Sequence, residues 1–431
     1  MSIQVTKINP RLTIVTEQMP GLKSAAIGFF SATGSRYENE KQQGLTHLLE
    51  HMFFKGTENK SAKDISRIVE SNGATIDGFT SKETTGIYFH CLLANIKPLF
   101  ELFMEISNNL IFNEQELQKE KKVIIEEITE ANENPQEYVY QLFMEIMFPN
   151  HPLSFPIAGT AETVNSFTQN DLSQGYQTNA LKHNACISVA GDVDHEQILD
   201  FVATVNFQFI SHYKTILPEK PPPTIERTTI FQQRPDLKQV YTIAGFSTIS
   251  LKDKRRYALT VLNNILGGTE SSRSVQILRE QPGLLSSAMT FVDLYSDIGL
   301  WCIYHTSDIK NRERSLQVVF DQLAILKQNG ITKEEFYRSV NHCRGMLSLG
   351  AESPSSRMMH NAQNTLLLGH PIPVAEHNTE YDKLNYSDVN SLVDMFEMER
   401  YSSATTGPIK FQDLGKIGVA PMKVIEKSEN Q

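Results

Sequence analysis

The 431-residue chain has few cysteines, and no two of them lie close together in the sequence. The four, Cys91, Cys186, Cys302 and Cys343, stand in apolar or helical surroundings, which is typical of buried free thiols in a reducing compartment. No run of about 18 apolar residues is present, so the sequence offers no membrane-spanning helix. The N-terminus has neither the basic and apolar regions of a signal peptide nor the Arg- and Ser-rich composition of a transit peptide. We therefore expect a cytoplasmic protein.

The chain also lacks an excess of basic residues, because 50 Asp and Glu outnumber 40 Lys and Arg and give a net charge of -10. This balance argues against nucleic acid or an anionic membrane surface as a partner, and it is compatible with a basic or neutral peptide. The content of hydrophobic residues (40%) and of charged residues (21%) is typical of a globular protein, and the length predicts two or more domains.

One short stretch, residues 44–54, contains the pattern H-x-x-E-H. Its apolar residues have the i, i+3, i+4, i+7 spacing of one buried helical stripe; they are Leu45, Leu48, Leu49 and Met52. His47 and His51 then project together from an adjacent face, with Glu50 between them. Two imidazoles one turn apart can bind a zinc ion, and a nearby carboxylate can take a proton from water. The alternative is that both histidines merely cap a core helix.

A third zinc ligand is expected on the helix predicted for residues 117–128. Glu120 and Glu127 are seven residues apart and share its apolar face, where two carboxylates are costly unless a cation meets them. Glu126 points to the solvated face, so Glu127 is the better ligand candidate, and Glu120 fits a role in orienting a ligand. The alternative is a charged surface helix with Glu and Lys pairs, which leaves Glu120 and Glu127 unexplained.

A proline-rich linker near the midpoint and a matching segment in each half indicate that the fold is duplicated. A proline-rich linker at 216–226 separates a predicted zinc-binding domain, 1–215, from a predicted metal-free domain, 227–431. Residues 45–51 align with 259–265, keeping the leading Leu-Thr and the apolar stripe. The second copy has other residues where the first has its two histidines and its glutamate, namely Val261, Asn264 and Ile265.

Together these features resemble the pitrilysin family of inverzincin metallopeptidases, in particular its half-length branch, which is similar to the subunits of mitochondrial processing peptidase. Further blocks match that family: 72–73, 77–85, 159–164, 188–193, 267–273 and 278–280. The resemblance implies an α+β fold of two homologous halves, each an antiparallel sheet covered by helices. It also implies that two such chains close like a clamshell around an unstructured peptide. It further implies a zinc endopeptidase with Zn²⁺ on His47, His51 and Glu127 and with Glu50 as the catalytic base, while Glu120 belongs to the same catalytic site and orients a ligand.

The resemblance places the peptide substrate along the exposed edge of the strand at 74–81. Ile76, Asp77, Gly78 and Phe79 would line this edge. The family commonly has Asn-Ala where this chain has Asp77-Gly78. The glycine removes a side chain beside the peptide, and the added carboxylate would favour a basic substrate residue.

Similar active enzymes also have an Arg and a Tyr, seven residues apart, that bind the scissile carbonyl. Here Arg279 is present, but Ser286 stands at the tyrosine position. We therefore expect a zinc-free paralogous partner that supplies the complete pair, in a heterodimer that processes leader or presequence peptides, with a homodimer as the alternative. Two other functions stay open, a catalytically silent structural subunit and a peptide-binding module.

Overall fold

The computed structural model describes residues 2–178, 184–203, 227–280, 287–397, 400–410 and 423–427. The chain folds as two compact units, each built from several segments. The first unit comprises Met1–Thr129, Phe155–Glu219 and Ser348–Val374. The second unit comprises Glu130–Ser154, Lys220–Leu347 and Ala375–Gln431. None of the described helices combines the length and the hydropathy that a membrane span requires.

The described part of the N-terminal half begins with strands and continues mainly as helices. Its elements are β1 (Ile3–Asn9), β2 (Leu12–Gln18), β3 (Ser24–Ser31), α1 (Leu45–Met52), α2 (Ala62–Ser71), β4 (Thr75–Thr80), β5 (Thr85–Leu92), α3 (Ile96–Asn109), α4 (Glu114–Glu133), α5 (Pro135–Met147), α6 (Ala161–Ser166), α7 (Gln169–Thr178), β6 (Ala185–Gly191) and α8 (His195–Ala203).

The described part of the C-terminal half has a similar order of strands and helices. Its elements are β7 (Thr228–Gln233), β8 (Val240–Thr248), α9 (Arg256–Gly267), α10 (Arg273–Glu280), β9 (Ser287–Leu294), β10 (Gly299–Ser307), α11 (Arg312–Asn329), α12 (Lys333–Gly350), α13 (Pro354–Leu368), α14 (Val374–Lys383), α15 (Tyr386–Asn390), β11 (Ser402–Gly407) and β12 (Lys423–Glu426).

The first unit contains a six-stranded sheet in the order β1-β2-β6-β3-β5-β4, so that β4 is an edge strand. The strand predicted at 74–81 and the motif helix predicted within 44–54 are present as β4 and α1. The strands β2 and β3 lie on either side of a turn at residues 20–21, and β4 pairs with β5 in a hairpin. The helix α2 begins with a capping box, in which the Ser61 hydroxyl accepts a hydrogen bond from the backbone N–H of Asp64 and the Asp64 carboxylate accepts one from the N–H of Ser61. One face of the sheet packs against α1, α2 and α3 around a large apolar core.

The second unit contains a sheet in the order β12-β7-β11-β8-β10-β9, which matches the first sheet strand for strand apart from the outer strand β12. The helix α9 follows β8 as α1 follows β3. The predicted α+β fold of two similar, helix-covered sheets is therefore confirmed. Each sheet is mixed rather than wholly antiparallel, because β6 returns beside β2 in parallel after several helices, and β11 and β12 lie parallel to β7.

Each unit includes a helix from the other half of the chain. The helix α13 packs on β6, β3 and β2 of the first unit, where Met358 and Ala362 are fully buried. The helix α5 packs on β11 and β8 of the second unit, where Phe143 is fully buried. The predicted division into domains 1–215 and 227–431 did not include this exchange of α5 and α13 between the two halves. The predicted linker at 216–226 lies outside the described residues. All four cysteines are buried and free, as predicted.

Candidate metal centre

The motif helix α1 is fixed at its first turn by a buried carboxylate. Glu38 accepts hydrogen bonds from the backbone N–H groups of Gly44 (2.9 Å) and Thr46 (2.7 Å), which no carbonyl within the helix can satisfy. Burial raises the pKa of Glu38 to about 7, and these hydrogen bonds oppose that rise. Gly44 has φ +87°, and a Cβ there would come within 2.4 Å of the carbonyl oxygen of Ala158. The helix thus starts at a position that only glycine fits.

The structure brings the three predicted ligands together. One ligand atom each from His47, His51 and Glu127 lies within 4.8 Å of the other two. The Nε2 atoms of His47 and His51 are 3.2 Å and 3.7 Å from Oε2 of Glu127. Within the described residues, no other group of three or more His, Cys, Asp or Glu side chains converges in this way. Two imidazoles and a carboxylate are a common donor set for catalytic zinc, so these residues fit that metal.

Electrostatics at this position favour a cation. Burial lowers the pKa of His47, but the hydrogen bond with Glu127 and the Glu50 carboxylate 3.5 Å away outweigh that effect and raise the pKa to about 9. The hydrogen bond with His47 in turn holds the pKa of Glu127 below its ordinary value, although partial burial opposes this. The carboxylates therefore stabilise positive charge at the point where the ligand atoms meet.

Glu120 lies beside His51, one of the candidate ligands, as its place on the helix predicted. Its Oε2 is 3.1 Å from Nδ1 of His51, and its Oε1 is 2.7 Å from Nζ of Lys55. A proton on Nδ1 of His51 would leave the lone pair of Nε2 directed toward Glu127 and a metal. Burial raises the pKa of the Glu120 carboxyl, but its interactions with His51 and Lys55 outweigh this and lower it overall.

The side chain of Glu50 extends from α1 toward the edge strand β4. Its Oε2 is 3.5 Å from both Nδ1 of His47 and the hydroxyl of Thr80. A Cβ at Gly78 would come within 2.5 Å of Oε1 of Glu50 and within 3.1 Å of two of its carbons. Gly78 therefore leaves the space that the Glu50 carboxylate occupies.

The predicted substrate-binding residues of β4 are divided between its two faces, because successive side chains of a strand alternate. Ile76 and Gly78 face the core that contains α1. Asp77 and Phe79 face the other side, and the Asp77 carboxylate accepts a hydrogen bond from the Tyr88 hydroxyl at 3.0 Å. The Asp77 carboxylate thus lies on the opposite face of β4 from Glu50, and its effect on substrate choice stays a prediction.

Three residues around this centre were missed in the sequence, namely Glu38, Lys55 and Thr80. Lys55 follows His51 by one helical turn, a signal that the sequence did contain. Thr80 follows Gly78 by two positions and so shares its face of β4. Glu38 precedes α1 in a loop, where no periodic pattern could have indicated its contact.

The second unit has no such ligands at the equivalent positions of α9. Val261 and Ile265 are buried apolar residues there, and the Asn264 amide is 3.0 Å from Nδ1 of His342. Arg279 lies on α10, and Ser286 lies outside the described residues.

Comparison with known proteins assigns the chain to a family. The model for insulinase (peptidase family M16) matches residues 13–161, and the model for the peptidase M16 inactive domain matches residues 166–342. A Bacillus subtilis protein named as an uncharacterised zinc protease is 35% identical over 395 residues, which cover 92% of this chain and 96% of that protein. The chain belongs to peptidase family M16. The predicted resemblance to half-length pitrilysin-type peptidases is thus confirmed.

Other relatives agree with this assignment. A Streptomyces coelicolor protein, also named as an uncharacterised zinc protease, is 28% identical over 96% of this chain and 92% of that protein. The crystal structure of a protease from Helicobacter pylori has the same fold, with a TM-score of 0.89 and 20% identity over 94% of this chain and 99% of that one. The M16 relatives named as zinc proteases support zinc as the metal of the family.

Proposed function

We propose that this chain is the zinc-binding subunit of an endopeptidase, in which His47, His51 and Glu127 hold Zn²⁺ and Glu50 is the catalytic base. The observation that carries this proposal is the convergence of the three ligand atoms within 4.8 Å of one another. The Glu50 carboxylate lies beside them, 3.5 Å from His47, and is not itself one of the three ligands. A silent structural subunit would have no need of this complete set.

Zinc in such a site polarises a substrate carbonyl and makes water acidic near neutral pH. Glu50 accepts the proton of the attacking water and later donates it to the leaving nitrogen of the cleaved peptide bond. Its place between His47 and Thr80 holds the carboxylate at the edge of the first sheet, where a substrate carbonyl would lie. Glu120 keeps His51 in the orientation that presents Nε2.

The edge strand β4 supports an extended peptide as substrate. Its outer side has no strand partner among the described residues, so its backbone N–H and C=O groups can pair with a peptide strand. Gly78 stands at the middle of this edge, directly beside Glu50. The backbone of a peptide paired with β4 would therefore run beside Glu50. Such pairing requires an extended chain, and an unstructured leader or presequence segment can adopt that conformation.

The proposed partner is a zinc-free paralogue that supplies an Arg and Tyr pair for the scissile carbonyl. Arg279 is present in this chain, but Ser286 replaces the tyrosine. Loss of one donor to the oxyanion typically costs about 100-fold to 1000-fold in turnover. The purified chain should accordingly cleave peptides far more slowly alone than with such a paralogue, and equal rates would leave a homodimer as the functional form.

The experiment that tests the zinc chemistry compares three variants in zinc content and in cleavage of an unstructured peptide. Glu50→Gln should keep the metal and lose about 100-fold or more of the rate, because general base catalysis is worth that much. Glu127→Gln should lose zinc, whereas Glu126→Gln, its exposed neighbour on α4, should lose neither zinc nor rate. Wild-type protein that binds peptides and releases them uncut, with any paralogue, would support a peptide-binding module instead.

A further inference from the structure

Lys55 contacts the carboxylate that supports a proposed zinc ligand. Its Nζ is 2.7 Å from Oε1 of Glu120, while the other oxygen of Glu120 is 3.1 Å from Nδ1 of His51. Lys55, Glu120 and His51 thus form one chain of polar contacts that ends at the metal position. The Glu120 side chain is only 7% exposed, so these two partners replace most of its contact with water.

The sequence and the local fold both place Lys55 here. The chain keeps turning after α1, since the N–H groups of Phe53 and Lys55 donate to the carbonyls of Glu50 and Met52, and this sets Lys55 one turn beyond His51. The next residues attach the turn to α3. In particular, the hydroxyl of Thr57 donates to the Glu105 carboxylate at 2.7 Å. The ammonium group therefore approaches Glu120 from an anchored loop.

We propose that Lys55 is a positioning residue for the metal, which fixes the Glu120 carboxylate so that His51 presents Nε2 to zinc. Two oxygens of one carboxylate cannot rotate independently. When the ammonium group holds Oε1, Oε2 is held against Nδ1 of His51. Loss of Lys55 would free Glu120 to rotate, and His51 would then lose the contact that sets its ring orientation. This inference rests on the proposed zinc function.

A purely electrostatic role for Lys55 predicts the opposite result. A positive side chain near a divalent cation repels it, so removal of the charge alone would strengthen zinc binding. A positioning role predicts weaker binding, because partners that orient a ligand typically contribute about 10-fold to 100-fold in metal affinity. The sign of the change therefore separates the two roles.

The experiment measures the zinc affinity of the purified full chain by competition with a chromogenic chelator, with Zn²⁺ alone as the probe. Lys55→Met should weaken binding about 10-fold, and Lys55→Arg should restore most of it, since the guanidinium can also reach a carboxylate. Lys119→Met is the matched control, because it removes the same charge from an exposed pair with Glu116 on α4. It should leave the affinity unchanged.

A double variant tests whether Lys55 acts through Glu120. Glu120→Gln should weaken zinc binding by itself, and Lys55→Met added to it should have no further effect. Unchanged or stronger binding by Lys55→Met, or a full additional loss in the Glu120→Gln background, would overturn the inference. If the wild-type chain binds no zinc at all, the proposed function fails, whereas zinc bound by wild type and equally by Lys55→Met refutes only the role of Lys55.

Discussion

The helix α13 is held on the first sheet by a buried ion pair, and breaking that pair should loosen the first unit. Arg357 of α13 contacts Oε1 of Glu17 on β2, and the Asn361 amide donates to Oε2 of Glu17 at 2.8 Å. The exposed fractions of the Glu17 and Arg357 side chains are 2% and 10%. Glu17 is thus a charged side chain with almost no access to water.

Arg357→Met would leave the Glu17 carboxylate buried, with the neutral Asn361 amide still donating to its Oε2. Removing one member of a buried ion pair typically costs about 3–5 kcal/mol, mainly because the other charge stays desolvated. Replacing both residues by Met removes that charge. The double variant should then lose only about 1–3 kcal/mol, the typical cost of a buried polar group such as the Asn361 amide left unpaired.

Hydrogen exchange of the first unit is the appropriate assay, with the opening free energy measured for peptides from β3 and β6, on which α13 packs. Fluorescence of Trp301, the one tryptophan of the chain, reports the second unit separately. The control is Arg67→Met, which breaks an exposed pair with Asp64 and should change neither signal. A loss below about 1 kcal/mol for Arg357→Met, or a double variant worse than Arg357→Met, would refute the reasoning.

Three further results are expected. The fragment 1–215 should not melt cooperatively by circular dichroism unless it is coexpressed with 227–431, because it lacks α13 and its buried apolar face. Burial, together with the positive charge of Arg312, lowers the pKa of His305 to about 4. Between pH 6.5 and about 4 the unfolded chain therefore binds a proton at this histidine that the folded chain does not bind. Lowering the pH through this window should reduce the free energy of unfolding by roughly 3 kcal/mol. His305→Leu should flatten this dependence when unfolding is followed by Trp301 fluorescence. Chelation of zinc should abolish cleavage and leave the circular dichroism spectrum unchanged.

The candidate ligands could be predicted from the sequence because helical geometry is local. The spacing of His47 and His51, and the shared face of Glu120 and Glu127, follow from 3.6 residues per turn alone. The packing of α13 on the first sheet could not be predicted, since it joins residues more than 300 positions apart and no periodic pattern records which sheet a helix covers. The two faces of β4 could be predicted in part. The alternation of side chains along a strand places Asp77 and Gly78 on opposite faces, but only the structure shows which of those faces contacts α1.

The comparison of α1 with α9 indicates why zinc should be needed for chemistry and not for folding. The two helices occupy the same place in sheets of matching strand order, yet α9 has buried Val261 and Ile265 where α1 has its two histidines. The second unit thus forms this architecture with apolar packing alone. In the first unit the apolar stripe of α1 is kept as well, with Leu48 and Met52 fully buried. Because that stripe and the candidate ligands lie on different faces of α1, we expect the core contacts to persist whether or not a metal is bound, which would leave the histidines free for the proposed catalysis.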